Sequence, residues 1–154
     1  MPRSTITICG EAPSRSRIEE LLAGEALLVF EDCDFSGADC SRLNLQETGF
    51  RNCALLETSF YAANLSRTRW QRCRAGHADF ESADLVDARF DSSDLNNSSW
   101  RRAKLASSSF RSCKLTGALF EDVSYLGLSF EDCLLIGADL RRMSFRKLTL
   151  VGLD

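Results

Sequence analysis

The chain has 154 residues, a net charge of −3 and 27% charged residues, a composition that indicates one globular domain. So mild an acidic excess excludes a basic nucleic-acid binder and falls short of a strongly acidic nucleic-acid mimic. No apolar run in the sequence approaches the roughly 18 residues that a membrane span needs.

The N-terminal segment MPRSTITICGEAPSR has no apolar signal core, so we expect a cytoplasmic protein. The chain has seven cysteines, an odd number, and we expect them to be reduced thiols in that compartment.

Residues 1–27 are predicted to form an N-terminal cap. Residues 5–9 have the alternation of a short strand, and Ser16 with Glu19 has the spacing of a capping box at the start of a helix. Three apolar residues near it fall on one helical face: Ile18, Leu21 and Leu22. We expect this helix to cover the first coil of the repeat that follows.

A five-residue repeat runs from Phe30 to Leu150. Every fifth position is almost always large and apolar, and this phase holds all ten Phe and both Trp of the chain. The position two residues earlier is mostly small, and the other three phases carry nearly all the charged residues. A period of five fits neither a helix nor a strand. Each unit is therefore predicted to point one large and one small side chain inward and three side chains outward.

Units such as 63–65 (ANL), 78–80 (ADF) and 83–85 (ADL) resemble the A-(D/N)-L-x-x unit of the pentapeptide-repeat family. The resemblance covers about residues 26–152. It implies an all-β fold, a right-handed quadrilateral β-helix with four units in each coil and about six coils. We therefore predict the β-helix to span residues 28–154.

With four units in a coil, every twentieth residue stacks and the core is built from four columns. Two opposite columns are largely aromatic: Phe30, Phe50, Trp70, Phe90, Phe110 and Phe130 in one, and Cys40, Phe60, Phe80, Trp100, Phe120 and Leu140 in the other. The remaining two are mostly leucine: Leu45, Leu65, Leu85, Leu105, Tyr125 and Phe145 in one, and Leu55, Leu95, Leu115 and Leu135 in the other. We expect such a filled core to hold no ligand and no cofactor.

Candidate chemistry is sparse in this sequence. Five cysteines share one inward column, where a linear stack cannot converge on a metal, so we expect structural fillers: Cys33, Cys53, Cys73, Cys113 and Cys133. His77 is the one histidine and lies in an outward phase. No phosphate loop, metal motif or nucleophile elbow is present. We therefore predict a protein that is not an enzyme, with no catalytic residue, metal site or cofactor site.

Charged residues form bands along the predicted rod. An acidic band holds Asp79, Glu81, Asp84, Asp87, Asp91 and Asp94. Basic bands lie on both sides of it: Arg67, Arg69, Arg72 and Arg74 before it, and Arg101, Arg102, Lys104, Arg111 and Lys114 after it. Two interpretations remain open. The alternating signs form a ladder that fixes the register of the coils, or the bands bind a charged protein partner.

Outward positions become apolar towards the C-terminus: Leu119, Leu126, Leu134, Ile136 and Val151. This pattern predicts either a local cap of bulky side chains or an interface with a second copy of the chain or a partner.

The family resemblance leaves three functions open. The chain could be an immunity or inhibitor protein for a toxin or a DNA-handling enzyme such as a nuclease, which we favour. It could instead be a DNA-mimicking protector of DNA gyrase of the quinolone-resistance type, although its acids form no continuous stripe and neither projecting loops nor a C-terminal dimerisation helix is predicted. The third function is a structural scaffold. We expect a protein partner, a toxin, a nuclease or a type II topoisomerase, and no direct contact with nucleic acid or membrane.

Overall fold

A computed structural model of the protein describes residues 2–154. Eight strands form a single parallel sheet in chain order. They are β1 (Thr5–Cys9), β2 (Leu27–Glu31), β3 (Gly49–Arg51), β4 (Arg69–Gln71), β5 (Arg89–Asp91), β6 (Ser109–Arg111), β7 (Ser129–Glu131) and β8 (Thr149–Val151). Helix α1 (Arg15–Leu22) connects β1 to β2, and a 3-10 turn (Phe145–Lys147) precedes β8. Within this part of the chain, no helix has the length and apolarity needed to cross a membrane.

The register of the strands confirms the four-sided coil. Phe30 lies opposite Phe50, and each later strand pair is again shifted by one coil of four units. Isolated bridges give the other three sides the same register, and we number the sides 1 to 4 from the one that carries β2–β8. Side 2 has Asp34 opposite Ala54, side 3 has Asp39 opposite Ser59 and side 4 has Asn44 opposite Asn64. The all-β helix with four units in each coil is thus confirmed.

The number of turns is about seven rather than about six. Strand β1 pairs with β2 in the same sheet, with Ile8 opposite Phe30, so the predicted cap strand adds one turn that passes through α1. The division of the chain at residue 27 stays a prediction.

The corners of the coil are tight turns with one left-handed residue each. At the corner between sides 4 and 1, the Thr48 N–H donates to the Leu45 carbonyl oxygen at 3.1 Å, and Glu47 has a φ of 65°. A positive φ at the third position of such a turn is the pattern of a type II turn. The Glu47 N–H donates to Ser66 O of the next coil at 2.9 Å. Bonds between coils therefore hold these residues in a backbone region that side chains disfavour.

The Asp or Asn of each unit closes the turn that follows it. The Asp84 carboxylate accepts the Val86 N–H at 3.1 Å, and the Asn64 side-chain oxygen accepts the Ser66 N–H at 3.1 Å. Short side chains of this type hydrogen-bond to the backbone two residues ahead. This bond explains why the repeating unit carries Asp or Asn before its large residue.

Two aromatic columns fill the interior from sides 1 and 3. Rings stack along each column, with Phe50 4.1 Å from Trp70 and Phe80 4.1 Å from Trp100, and the two columns meet edge to face in the centre. The Trp70 indole N–H donates to the Thr68 hydroxyl at 2.8 Å. A polar residue in the small column thus satisfies the buried indole.

The N-terminal helix covers the first coil as predicted, but its cap residue differs. The Ser14 hydroxyl accepts the Arg17 N–H at 3.1 Å, so Ser14 rather than Ser16 is the N-cap. Glu19 lies 2.9 Å from Arg15 and forms an ion pair instead of a capping box. Ile18 is 1% exposed and belongs to the core.

The last coil departs from the predicted phase. Phe145 was expected to continue an inward column below Tyr125, yet it is 59% exposed, and Leu150 is 37% exposed. The 3-10 turn interrupts the unit geometry here, and the Ser144 N–H donates to the Tyr125 hydroxyl at 2.8 Å. No coil among residues 2–154 stacks on this turn. Phe145 and Leu150 therefore stay exposed although they occupy inward positions of the repeat.

Candidate protein-binding surface

The acidic band forms a ring around one coil rather than a patch. The bridges place Asp94 on side 2, Asp79 on side 3 and Asp84 on side 4. Each of these three carboxylates accepts a backbone N–H at 2.9–3.1 Å and closes its own turn. Half of the predicted band therefore has a structural role whether or not it binds a partner.

The other three acids lie at corners of the same coil. Glu81 is 3.8 Å from Arg102. Asp87 and Asp91 stand at the two edges of side 1, and no ion pair within 4.0 Å joins them to any side chain that the structure describes. These two carboxylates are the members of the acidic band best placed to meet a partner.

The predicted charge ladder is only partly formed. Ion pairs join neighbouring coils at 3.1–3.9 Å in four places: Glu47–Arg67, Glu81–Arg102, Arg101–Glu121 and Arg111–Glu131. The column of Arg74, Asp94 and Lys114 is bridged through its backbone, but its side chains form no ion pair. Exposed pairs contribute at most about 1 kcal/mol each. Register is thus set mainly by the backbone and the core.

The basic band before the acidic ring is mostly unpaired. Arg67 contacts Glu47, whereas Arg69, Arg72 and Arg74 are exposed and, among residues 2–154, lie in no ion pair. Of the band that follows the ring, Lys104 and Lys114 are likewise exposed and unpaired within the described part of the chain. Of these five unpaired cations, Arg69, Arg72 and Arg74 lie in one coil on sides 1 and 2, whereas Lys104 lies on side 4 and Lys114 on side 2 of later coils.

Side 1 carries a pair of arginines that the predicted charge bands did not bring together. Arg69 of β4 lies directly opposite Arg89 of β5, whereas Arg51 of β3 lies in the neighbouring column, opposite Gln71. Arg89 lies in sequence within the predicted acidic band, which names only the acids. The twenty-residue column that joins Arg69 and Arg89 was the signal that could have found the pair.

A surface depression of about 370 Å³ lies beside these arginines. Gly49 has no side chain to fill it, and Leu27, Val29, Arg51 and Arg67 are among its lining residues. Its one acid, Glu47, is already engaged. Hydrogen bonding to Arg3 at 2.8 Å, with Arg67 at 3.6 Å, lowers the pKa of Glu47. The net charge around the depression is positive.

The cysteine column is a hydrogen-bonded ladder as well as a filler. The Cys53 thiol donates to Phe30 O at 3.4 Å, and the Cys133 thiol donates to Phe110 O at 3.2 Å. Ser93 takes the same place in its coil, where its hydroxyl accepts the Cys73 N–H at 3.1 Å. All seven cysteines are free, and burial raises the pKa of Cys40 to about 12. Cys40 lies outside this column, and its thiol is unreactive because it is buried and protonated.

Other candidate chemistry is equally weak. His77 is exposed at a corner with a φ of 58°. Across residues 2–154, the structure contains no group of three or more His, Cys, Asp or Glu placed to hold a metal ion.

The C-terminal apolar residues lie on several sides of the rod. Leu126 and Ile136 are 73% and 63% exposed at diagonally opposite corners, and Val151 is exposed on β8. Leu119 and Leu134 are half-buried on sides 3 and 2. The structure therefore does not bring all five together. Phe145 and Leu150, which sequence reasoning placed in the core, are exposed at the end of the same coil.

The comparison with known protein families gives a match that agrees with this architecture. The family described as pentapeptide repeat region matches residues 28–100 and 44–120, whereas no curated protein sequence matches significantly. QnrB1, a plasmid-mediated fluoroquinolone resistance protein, is 20% identical over 97% of this chain and 91% of its own, with a TM-score of 0.30. HetL from Nostoc sp. strain PCC 7120, involved in heterocyst differentiation regulation, is 16% identical over 98% and 84%, with a TM-score of 0.35.

A pentapeptide repeat protein from the Arabidopsis thaliana thylakoid lumen is 26% identical over 58% of this chain and 63% of its own, with a TM-score of 0.36. The family match covers more than half of the chain and agrees with the five-residue period and the four-sided coil. This chain belongs to the pentapeptide repeat family.

Proposed function

We propose that this chain is a non-enzymatic protein ligand that binds and blocks a partner, as an immunity or inhibitor protein for a toxin or a DNA-handling enzyme such as a nuclease. The observation that supports it is the set of unpaired charges on side 1, with Asp87 and Asp91 at its edges and Arg69 and Arg89 between them. Strands of a stacked sheet hold these groups, so binding orders little backbone.

The two acids suit a cationic surface that handles DNA. Asp87 and Asp91 make no ion pair among the described side chains, so a partner need not displace an internal contact to reach them. The neighbouring arginines fix the orientation, because a partner must present acids where Arg69 and Arg89 stand.

The test begins with the tagged protein as bait in its own host, at low and at moderate salt, with mass spectrometry of the bound proteins. A toxin or nuclease recovered in a one-to-one ratio and inhibited by the purified chain supports the proposal. Recovery of a type II topoisomerase with steep salt dependence favours gyrase protection by DNA mimicry instead. An empty capture at both salt concentrations favours the scaffold.

A charge variant then locates the contact. The double variant Asp87→Asn, Asp91→Asn keeps the size of both side chains and removes two charges. We expect at least a tenfold weaker complex, since a hydrogen bond to a charged group contributes about 1.5–3 kcal/mol. Asp122→Asn is the matched control, because Asp122 is also an exposed corner acid with positive φ, at 54°. Equal affinity of all three proteins would remove the acids from the interface.

We also propose that the C-terminal coils form a homodimer interface. Phe145, Leu150 and Val151 are exposed together at the end of the solenoid, with Leu126 and Ile136 on its flanks. Sedimentation velocity over a range of concentrations tests this. A dimer that Phe145→Ser weakens supports an end-to-end contact, and a monomer at all concentrations contradicts it.

A further inference from the structure

Arg69 and Arg89 break the charge pattern of the rod. They are direct neighbours in adjacent parallel strands, where like charges are unfavourable. No carboxylate among residues 2–154 lies within 4.0 Å of either guanidinium, although opposite charges form ion pairs along three other columns. When like charges face each other and no internal contact compensates for their repulsion, a functional role is expected.

The pair continues a column that changes character along the rod. The outward residues of successive strands on side 1 are Val29, Gly49, Arg69 and Arg89. The first two lie at the depression, where Gly49 leaves space beside the half-buried side chains of Val29 and Leu27. The column therefore offers an apolar position, a gap and two positive charges in a straight line.

The surrounding charges limit the size of the anion that fits. Asp87 and Asp91 stand on either side of Arg89 at the two edges of side 1, and Glu31 lies at the end of β2. A long polyanion such as a DNA duplex would extend over these acids and be repelled by them. A short ligand with two carboxylates would meet only the arginines.

We propose that this column binds an extended acidic segment of a protein partner, with one aliphatic side chain in the depression at Gly49 and two carboxylates on Arg69 and Arg89. This rests on the proposed function only in that the partner is a protein. The chemistry it requires is an aliphatic residue followed by acids two and four positions later.

The spacing of the two backbones agrees with this arrangement. Two steps between neighbouring strands carry the column from Gly49 to Arg89, a distance of about 10 Å at the usual strand separation. Four residues of extended chain span about 13 Å, and every second side chain points to the same face. The long side chains of Arg69 and Arg89 cover the difference of about 3 Å. Each guanidinium can then bind one carboxylate, the geometry in which arginine is strongest.

The test uses the full-length protein labelled with 15N and titrated with the peptide acetyl-Leu-Ser-Glu-Ser-Glu-amide. We expect the amide signals of Gly49, Arg69 and Arg89 to shift together as the peptide saturates. Two control peptides separate the contributions, one with both Glu replaced by Gln and one with Leu replaced by Ser. Both should bind at least tenfold more weakly, and equal binding of the Gln peptide would overturn the proposal.

Variants assign the contacts on the protein. Arg69→Ser and Arg89→Ser are tolerable replacements because Ser109 and Ser129 occupy the same column. Each should weaken peptide binding at least tenfold, and Arg111→Ser, one strand further on, should leave it unchanged. Gly49→Val fills the depression and should abolish the preference for Leu over Ser. Unchanged thermal unfolding checks that each variant is folded.

Two outcomes would contradict the proposed peptide site. If inorganic phosphate or a short DNA duplex displaces the peptide at equal concentration of anionic groups, the arginines bind any anion and do not select the peptide. If the captured partner still binds Arg69→Ser and Arg89→Ser proteins fully, this column is not the contact although the proposed function stands. Peptide binding without any captured partner supports the site and removes the proposed blocking role.

Discussion

The middle and the last coil of this solenoid follow the same five-residue pattern and differ in burial. In the coil that contains Phe80, Leu85, Phe90 and Leu95, all four large residues are fully buried. In the last coil, Phe145 and Leu150 occupy the same phase and remain exposed. An inward phase therefore buries a side chain only where another coil stacks on each side. Stability in such a repeat depends on neighbouring coils rather than on the unit alone.

Replacing a central leucine with a charge should give the largest difference between these regions. Leu85→Arg places a charge in a core whose described buried residues include no carboxylate to pair with it. We expect loss of the folded state, measured by far-UV circular dichroism and urea unfolding. Phe145→Arg in the last coil should remain folded with near-native stability. A native-like Leu85→Arg protein would show that the assigned inward phase is wrong.

Truncating an aromatic residue should give a smaller, graded difference. Phe90 stacks on Trp70 at 5.1 Å and on Phe110 at 4.9 Å. Phe90→Ala should lower the free energy of unfolding by about 3–5 kcal/mol, the usual range for a buried Phe. At concentrations where the protein is monomeric, Phe145→Ala should cost less than about 1 kcal/mol, because the surface of Phe145 is then already hydrated. Equal losses in urea titrations would mean that the last coil is covered in solution.

The turn acids should show an effect that does not depend on charge. Asp84→Ala removes the acceptor of the Val86 N–H and should cost about 1 kcal/mol. Asp84→Asn retains an oxygen acceptor and should leave the free energy of unfolding almost unchanged. In the coil before, the side-chain oxygen of Asn64 already accepts the equivalent turn hydrogen bond. Chemical denaturation of the two variants separates the turn from the charge. If both lose the same free energy, the carboxylate acts through its charge instead.

The smallest effect is expected at an exposed ion pair of the last coil. The Arg141 side chain hydrogen-bonds to Asp139 at 2.7 Å and lowers the pKa of that carboxyl to about 2. Because the folded-state pKa lies below the unfolded value, the pair stabilises the fold above about pH 4 and is lost as the pH falls towards 2. Arg141→Ala should raise the pKa towards 3.9, measured by NMR titration. An unchanged pKa of Asp139 would mean that the hydrogen bond from the Arg141 backbone N–H, and not the guanidinium, lowers it.

Much of this fold is readable from the sequence because the repeat is local and strict. The phase of Phe, Leu and Trp predicts which side chains point inward, and the resemblance to the pentapeptide-repeat family supplies four units in each coil. The site was less predictable. The sequence groups the acids of residues 79–94 into one band, but these residues lie around one whole coil and three of them close turns.

The sequence by itself determined the five-residue unit, its inward and outward positions and the family, since these depend on residue size at fixed spacing along one chain. Only the tertiary structure decided that Arg69 faces Arg89 without a counter-charge, that Gly49 opens a depression beside them and that Phe145 is exposed. Such features depend on which coils stack and on how far flexible side chains reach across them. That information lies in the distances between coils, and no single unit of the repeat contains it.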